Sequence, residues 1–274
     1  MASALDSSQI VLAPIVASRE VGEQAWVIDV EINGIADGLR PGQFAMLSLS
    51  ENSPTVIARP FSVYDRPEPN IFTFLVQKMG KGTAALVEAP IGTMLRCLLP
   101  LGNGFDVAAA DEDVVMVAGG VGSAPFLMYA QQRIALGASE NTHMFFGGRT
   151  QQHLFDHKSF DELSIPTYYS TDDGSQGFKG NVIACLAVEL DKKRISSKSI
   201  FVACGPEGLL HAFADFARLR NLTAFLSLET YMGCGFGVCN SCPVPTSVDG
   251  KFSDWPYATT CSQGPVFSLA DIQI

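Results

Sequence analysis

Residues 114–148 read VVMVAGGVGSAPFLMYAQQRIALGASENTHMFFGG. The opening VVMVAGG is a fully apolar run of strand length that stops at paired glycines. SAPFLMYAQQRIALG (123–137) is a helical stretch with a glycine stop, and THMFFGG (142–148) is a second apolar strand. Strand, helix and strand in this order make a βαβ unit. Its parallel strands offer a ligand site at their C-terminal edge.

The alternation continues downstream through IPTYYSTDDG (165–174), NVIACLAVEL (181–190), SIFVACGP (199–206) and EGLLHAFADFARLRN (207–221). Upstream the texture differs. QIVLAPIVAS, AWVIDVEI, QFAMLSLS, FSVYD, IFTFLVQK and GTMLRCLLP are short β-rich runs divided by breakers such as Asn33-Gly34 and Pro41-Gly42. Strands at this spacing predict an antiparallel barrel or sandwich. The predicted architecture is therefore multidomain, β plus α/β. An antiparallel β-barrel spans residues 1–106, a parallel-sheet domain 107–225 and a small C-terminal module 226–274.

That module holds the densest chemistry. Cys234, Cys239, Cys242 and Cys261 lie in CGFGVCNSCPVPTSVDGKFSDWPYATTC, a close triplet followed by one remote cysteine. This is the plant-type spacing for a [2Fe–2S] cluster. Gly233, Gly235 and Gly237 stand between the ligands, where the chain must bend sharply. A structural zinc site is the competing reading, but zinc ligands usually come as two short hooks. The remaining cysteines, Cys97, Cys185 and Cys204, are odd in number, which favours a reducing cytoplasm over a disulfide framework.

Composition narrows the function classes. The 274 residues are 47% hydrophobic and 17% charged, as in a compact folded chain, and the net charge of −10 argues against nucleic acid. No run reaches the length of a membrane span, the nearest, Val114 to Tyr129, being interrupted by Gly119, Gly120, Gly122 and Pro125, and the start MASALDSSQIVLAP lacks the basic n-region of a signal peptide.

Three strand ends converge on the expected crevice of the α/β domain. Gly119-Gly120-Val121-Gly122-Ser123-Ala124-Pro125 joins a buried strand to a helix, although it is not the G-x-G-x-x-G fingerprint. Thr171-Asp172-Asp173-Gly174-Ser175 and Cys204-Gly205-Pro206 end the other two. Asp172 and Asp173 read as solvent-facing turn acids or ribose ligands. In the barrel, Arg59-Pro60-Phe61-Ser62 enters a strand, and Gly80-Lys81-Gly82-Thr83 opens a helix whose free N–H groups suit a pyrophosphate. His153 and His157, four apart on an expected helix, read as an exposed segment rather than a metal pair, His143 and His211 as structural, and Cys97 and Cys185 as core residues.

Taken in order, these motifs resemble the ferredoxin–NADP reductase superfamily. ETYMGCGFGVCNSC, STDDGSQGFKG and CSQGPVF are similar to motifs of the electron-transfer subunits of type B dihydroorotate dehydrogenases. The resemblance implies a barrel that binds FAD, a central domain that binds NAD(H) and a C-terminal [2Fe–2S] module. By it, Arg59 and Pro60 to Ser62 contact the FAD phosphates and flavin ring, and Leu75, Val76 and Gln77 line the flavin. Gly82 and Thr83 hold the pyrophosphate, and Gly119, Gly120, Gly122, Ala124, Pro125, Asp172, Asp173, Cys204, Gly205 and Pro206 face the nicotinamide nucleotide. The four cysteines ligate the cluster, and no side chain acts as catalytic acid or nucleophile.

It further implies an FMN-containing dihydroorotate dehydrogenase catalytic subunit as partner, in a heterotetramer. The apolar Phe236 and Val238 that flank the ligands read either as part of the docking surface or as residues packed inside the module. Two departures stand out: SDWPYATT lengthens the gap from Cys242 to Cys261, and Phe61 replaces a common Tyr. The alternatives keep the cofactors with another partner (an oxygenase, sulfide dehydrogenase or transhydrogenase), or replace redox turnover by a zinc-stabilised nucleotide-binding regulator. Asp172 and Asp173 favour NADH over NADPH, whereas Arg149 favours the extra phosphate.

Overall fold

The computed structural model describes residues 8–274; the first seven residues, part of the stretch read for a leader, lie outside the described residues. Six strands close into an antiparallel barrel in the order β1-β2-β5-β4-β3-β6. They are β1 (Gln9–Gly22), β2 (Ala25–Glu31), β3 (Phe44–Leu49), β4 (Arg59–Glu68), β5 (Ile71–Gln77) and β6 (Met94–Leu101). Strand β1 runs further than its sequence suggested because it serves two neighbours. Gln9 to Pro14 pairs with β6 and Ile15 to Gly22 with β2, with an irregularity between Ile15 and Ala17. Such a bulge lets one strand turn the corner that closure of a small barrel demands.

Period-two alternation fills the interior. On β6, Leu95, Cys97 and Leu99 are buried while Met94 and Arg96 face out. They meet Ile28, Val30, Val63, Phe72, Phe74 and Val76 in one core. The helix α1 (Lys81–Val87) follows β5 and covers one end with Leu86 and Val87.

The second domain is a sheet ordered β10-β9-β8-β7-β11-β12-β15. Its central strand β7 (Val114–Gly119) is buried throughout. Val115 and Val117 pack on the face covered by α4 (Val182–Asp191) and α5 (Glu207–Arg220). Val114, Met116 and Ala118 pack on the other face, against α2 (Phe126–Ala135) and the barrel residues Val27, Tyr64 and Leu75. The barrel thus covers part of the sheet as a helix layer would. Strands β8 (Thr142–Gly148), β9 (Thr167–Thr171), β10 (Phe178–Lys179), β11 (Ile200–Cys204) and β12 (Thr223–Ser227) are parallel to it, as the βαβ reading requires.

The connection between the two domains is fastened by a residue whose role the sequence did not reveal. Arg133, fully buried on α2, donates to the carbonyls of Ala108 (2.8 Å) and Glu112 (2.6 Å) and to Thr142 Oγ1 (3.0 Å). A buried guanidinium is tolerated because its donors find acceptors.

The C-terminal segment contributes a hairpin of β13 (Pro243–Pro245) and β14 (Tyr257–Thr259). It then adds β15 (Val266–Ser268) antiparallel to β12, as the edge of the large sheet. β12 itself runs across the expected 225/226 boundary. The last fifty residues are therefore stitched into the α/β domain by main-chain bonds.

The segment read as one exposed helix around His153 and His157 is instead a 3-10 turn, Gln151–His153, and a short helix α3 (His157–Asp161). Asp156 between them is left-handed at φ 53°, and Leu154, Phe155 and Asp156 are buried. The two histidines do not share a helical face.

Candidate functional site

Hairpin geometry explains how a cysteine far along the chain joins the triplet. Cys242 immediately precedes β13 and Cys261 closely follows β14. Pro243 pairs with Thr259, and the Thr260 N–H donates to the Cys242 carbonyl at 2.9 Å. The two sulfurs come to 3.3 Å, both side chains buried. SDWPYATT, read as an insertion, supplies the returning strand itself.

Cys234 and Cys239 form a second pair. The Cys234 N–H donates to Cys239 Sγ at 3.4 Å, and the Gly237 N–H reaches Cys261 Sγ at 3.1 Å. Gly235 and Gly237 carry φ of 82° and 87°, which only glycine adopts without strain. Two thiol pairs suit a binuclear cluster taking two thiolates at each iron. The donor set of four sulfurs with main-chain N–H groups aimed at them fits [2Fe–2S].

The pairs differ electrostatically. The Ser241 hydroxyl and amide, then Cys234, bring the exposed Cys239 thiol down to about 6. Burial, then the adjoining Cys242, pushes Cys261 up to about 12. One side of the quartet therefore faces solvent and the other faces the core. On that inner side Cys242 and Cys261 pack against Phe44, Met46 and Leu101 of the barrel. A cavity of about 130 Å³ separates Gly233 and Cys234 from Ile10, Met46, Ala58, Arg96 and Leu98.

Met46 also links this loop to the barrel motif, because in the β3–β4 ladder it stands opposite Pro60, with Phe61 opposite Ala45 and Ser62 opposite Phe44. Arg59 is exposed and donates one N–H to the Ile57 carbonyl at 3.1 Å. Gly82 lies beside it: a Cβ there would stand 3.8 Å from Arg59 Cγ and 3.4 Å from the Thr55 side chain. The Arg59 and Gly82 motifs, separate in sequence, meet at one end of the barrel. Thr83 Oγ1 accepts the Met79 and Gly80 N–H groups at 2.9 and 3.1 Å and so builds the turn into α1. Leu75 and Val76 are both buried, and Val76 points into the barrel core, leaving only its main chain toward any ligand.

At the sheet's C-terminal edge the glycine turn and the Cys204-Gly205-Pro206 turn touch backbone to backbone. A Cβ at Gly122 would come within 2.4 Å of the Cys204 carbonyl and of Gly205 Cα, and one at Gly119 within 2.4 Å of Leu209 Cδ1. A left-handed φ of 54° suits Gly120. Ala124 caps the 3-10 turn Gly120–Ser123, and Pro125 sits at the N-cap of α2. Pro206 likewise precedes α5. Cys204 is half-buried, and burial pushes its thiol up to about 12, which keeps it protonated.

The third edge is less convergent. Asp173 is exposed and accepts from the Ser175 N–H and hydroxyl, at 2.9 and 2.7 Å, which lowers its pKa. It is a turn acid first. Asp172 is exposed beside it, its N–H held by the Gly148 carbonyl at 3.1 Å. Arg149 lies 2.6 Å from His153 Nε2. The buried Ser123 and Ser170 hydroxyls have no partner among the described residues, a pair the sequence did not mark. A cavity of about 770 Å³ bounded by Arg218, Asn221, Ser247 and Gln273 opens at the opposite, N-terminal edge of the sheet and belongs to none of these motifs.

Known proteins agree with this layout. Residues 229–273 match the iron–sulfur cluster binding domain of dihydroorotate dehydrogenase B, and residues 116–215 an oxidoreductase NAD-binding domain. The chain is 31% identical to the dihydroorotate dehydrogenase B (NAD⁺) electron transfer subunit of Bacillus cereus strain Q1, over 94% of this chain and 96% of that one. The subunit of Bacillus anthracis strain A0248 matches to the same extent. A solved NADH-dependent reduced ferredoxin–NADP oxidoreductase, described for flavin-based electron bifurcation, superposes with a TM-score of 0.81 at 28% identity, covering 96% of this chain and 90% of that one. Phthalate dioxygenase reductase shares the fold, at TM-score 0.60 and 17% identity over 76% of this chain and 64% of that one. Alignment along nearly its whole length, together with the paired thiols and the turns at the sheet edge, shows that this chain belongs to the family of electron-transfer subunits of dihydroorotate dehydrogenase B.

Proposed function

We propose that this chain passes electrons from a dihydroorotate-oxidising catalytic subunit to NAD⁺ through [2Fe–2S] and FAD, in pyrimidine biosynthesis. The observation that carries the reading is the seat of the cysteine loop on Met46, one strand away from Pro60 and Ser62. Electron entrance and flavin strand are thereby neighbours, and the nucleotide turns lie on the sheet that packs on the same barrel. What the bound groups supply is a change of step, since a flavin exchanges electrons singly with a cluster and in pairs, as hydride, with a nicotinamide.

The residues position; none donates or abstracts a proton. Arg59 and the α1 N-terminus, with Gly82 and Thr83, hold the FAD phosphates, and Phe61, Ser62, Leu75, Val76 and Gln77 shape the flavin side. Gly119, Gly120, Gly122, Ala124, Pro125, Cys204, Gly205 and Pro206 form the floor for NAD(H), with Asp172 and Asp173 beside the ribose disfavouring a 2′-phosphate. Cys234, Cys239, Cys242 and Cys261 ligate the cluster. The three parts work as residues 1–106, 107–225 and 226–274, the last two sharing the sheet through β12 and β15.

The partner is an FMN-containing catalytic subunit in a cytoplasmic heterotetramer with two copies of each chain. Among the described residues no helix is long and apolar enough to cross a membrane. Val238, 72% exposed, supports a docking face at the cluster loop. Phe236 stands next to it at 37%, and Ile10, across the small cavity from Cys234, is 72% exposed. Exposed apolar groups at a one-electron entrance are what a partner surface covers.

Mixing the purified chain with the catalytic subunit tests the whole reading. NAD⁺-dependent orotate formation is expected only with both present, and a stable pair without that activity defeats it.

A further inference from the structure

One buried carboxylate joins the barrel to the α/β domain. Asp156, its side chain 3% exposed, accepts both Arg19 N–H groups, at 2.7 and 2.8 Å. Oδ2 also accepts the Tyr64 hydroxyl at 2.7 Å and the Ser159 hydroxyl at 2.8 Å. Arg19 stands on β1 and Tyr64 on β4, both in the barrel, whereas Asp156 and Ser159 follow β8 in the other domain. Four donors reach the carboxylate, one at Oδ1 and three at Oδ2, and three of the four come from across the junction.

Main-chain bonds frame this contact. The Asp156 N–H donates to the Val21 carbonyl at 3.1 Å and the Glu23 N–H to the Gln152 carbonyl at 3.0 Å. Gly22 permits the approach, because a Cβ there would stand 2.5 Å from the Gln152 oxygen and 2.6 Å from Phe155 Cδ1. Asp156 opens α3, yet its carboxylate makes no cap bond to it and its backbone is left-handed. The backbone adopts an unfavourable conformation, and apart from the Ser159 hydroxyl on its own helix the carboxylate's partners all belong to the barrel.

The contact has neighbours in both proposed ligand sites. Tyr64 follows Ser62 by two residues on β4, hence on the same face of the strand. Phe155, next to Asp156, stands beside the glycine turn: a Cβ on Gly120 would meet its ring at 3.7 Å. We propose that Asp156 is a positioning residue that holds the α/β domain at a fixed angle to the barrel, and thereby sets the approach of the nicotinamide to the flavin. Burial, then the Asp156 carboxylate, keeps the Tyr64 phenol protonated and donating. This inference rests on the placement of FAD on the barrel and NAD on the sheet given above.

The test uses the full chain with its cofactors, comparing wild type with Asp156→Asn. An amide at this position cannot accept all four bonds, and it leaves Arg19 without its counter-charge. Amide hydrogen exchange of Glu23 and Asp156, whose N–H groups bridge the junction, is expected to rise at least about tenfold while amides of β7 and of the barrel interior stay unchanged. In anaerobic stopped flow, the rate constant for FAD reduction at saturating NADH is expected to fall at least about tenfold, with FAD content, cluster absorbance and NADH affinity preserved. Unchanged junction exchange, or full-rate reduction despite a loosened junction, overturns the proposal. Should Asp156→Asn fail to fold, Tyr64→Phe, which removes one hydroxyl, is measured in the same two ways, and the same two results overturn the proposal. Wild-type FAD that NADH does not reduce would instead overturn the placement of the cofactors, a result the exchange measurement does not depend on.

Discussion

The backbone of Gly235 lies directly on the side chain of Met46, so close that a Cβ would stand 2.5 Å from Met46 Cγ and 2.9 Å from its sulfur. This contact joins the cluster loop to the strand facing the flavin motif. Gly235→Ala is expected to destabilise the C-terminal module by about 1–3 kcal/mol, since the left-handed φ of 82° is strained for any residue with a Cβ. Cluster absorbance per chain should fall while flavin absorbance holds. A second change, Met46→Ala, should restore part of the loss by relieving the overlap, but not the share that comes from φ. Full cluster content in Gly235→Ala would show that the loop does not depend on this seat.

Cysteine reactivity provides a pH test. In the cluster-free chain, Cys239 at about 6 should be largely thiolate at neutral pH and alkylate rapidly, its rate levelling off above about pH 7. Cys204, at about 12, should react slowly throughout the neutral range and accelerate only in strong alkali. Iodoacetamide labelling read by peptide mass spectrometry separates the two. With the cluster assembled, Cys239 should be protected. Cys239→Ser should lose the cluster's visible spectrum and EPR signal while retaining FAD.

Arg59→Ala removes a guanidinium from the end of the barrel where Gly82 opens α1. FAD binding should weaken by about 1.5–3 kcal/mol, the worth of a charge-assisted bond to phosphate. Ser62→Ala should keep FAD but slow its reduction. Flavin released on denaturation, measured against protein, checks the first. Stopped-flow reduction checks the second, and normal values in both variants would remove the flavin from β4.

Gly122→Ala forces a methyl group to within 2.4 Å of main-chain atoms of Cys204 and Gly205, which have no side-chain freedom with which to yield. The two turns should part, and reduction of FAD by NADH should slow at least about tenfold through misplacement of the nicotinamide. FAD and cluster contents should stay normal, because both are held elsewhere. A variant as fast as wild type would mean that the nucleotide does not rest on these turns.

Local sequence was enough to set the elements and their kind. The run from Val114 to Gly119 has no polar residue to give it an exposed face, so it had to be a central strand, and Leu95, Cys97 and Leu99 alternate as a barrel wall must. The cysteine spacing likewise announced its chemistry, because three ligands on one loop are a local property. How these units meet was settled only in three dimensions. The bond from Arg19 to Asp156 spans 137 residues, and nothing in either neighbourhood names the other. The expected helix through His153 and His157 broke at Asp156 because a carboxylate drawn to Arg19 and Tyr64 outweighed local helical preference. Glycines 119, 122 and 205 read as ligand-binding turns, yet the fold also needs them where two turns touch. The remote Cys261 reached its partner through a hairpin whose returning strand looked like an insertion. Periodicity and spacing express forces acting within a few residues. Docking depends on surfaces assembled from distant segments, and those exist only once the chain has folded.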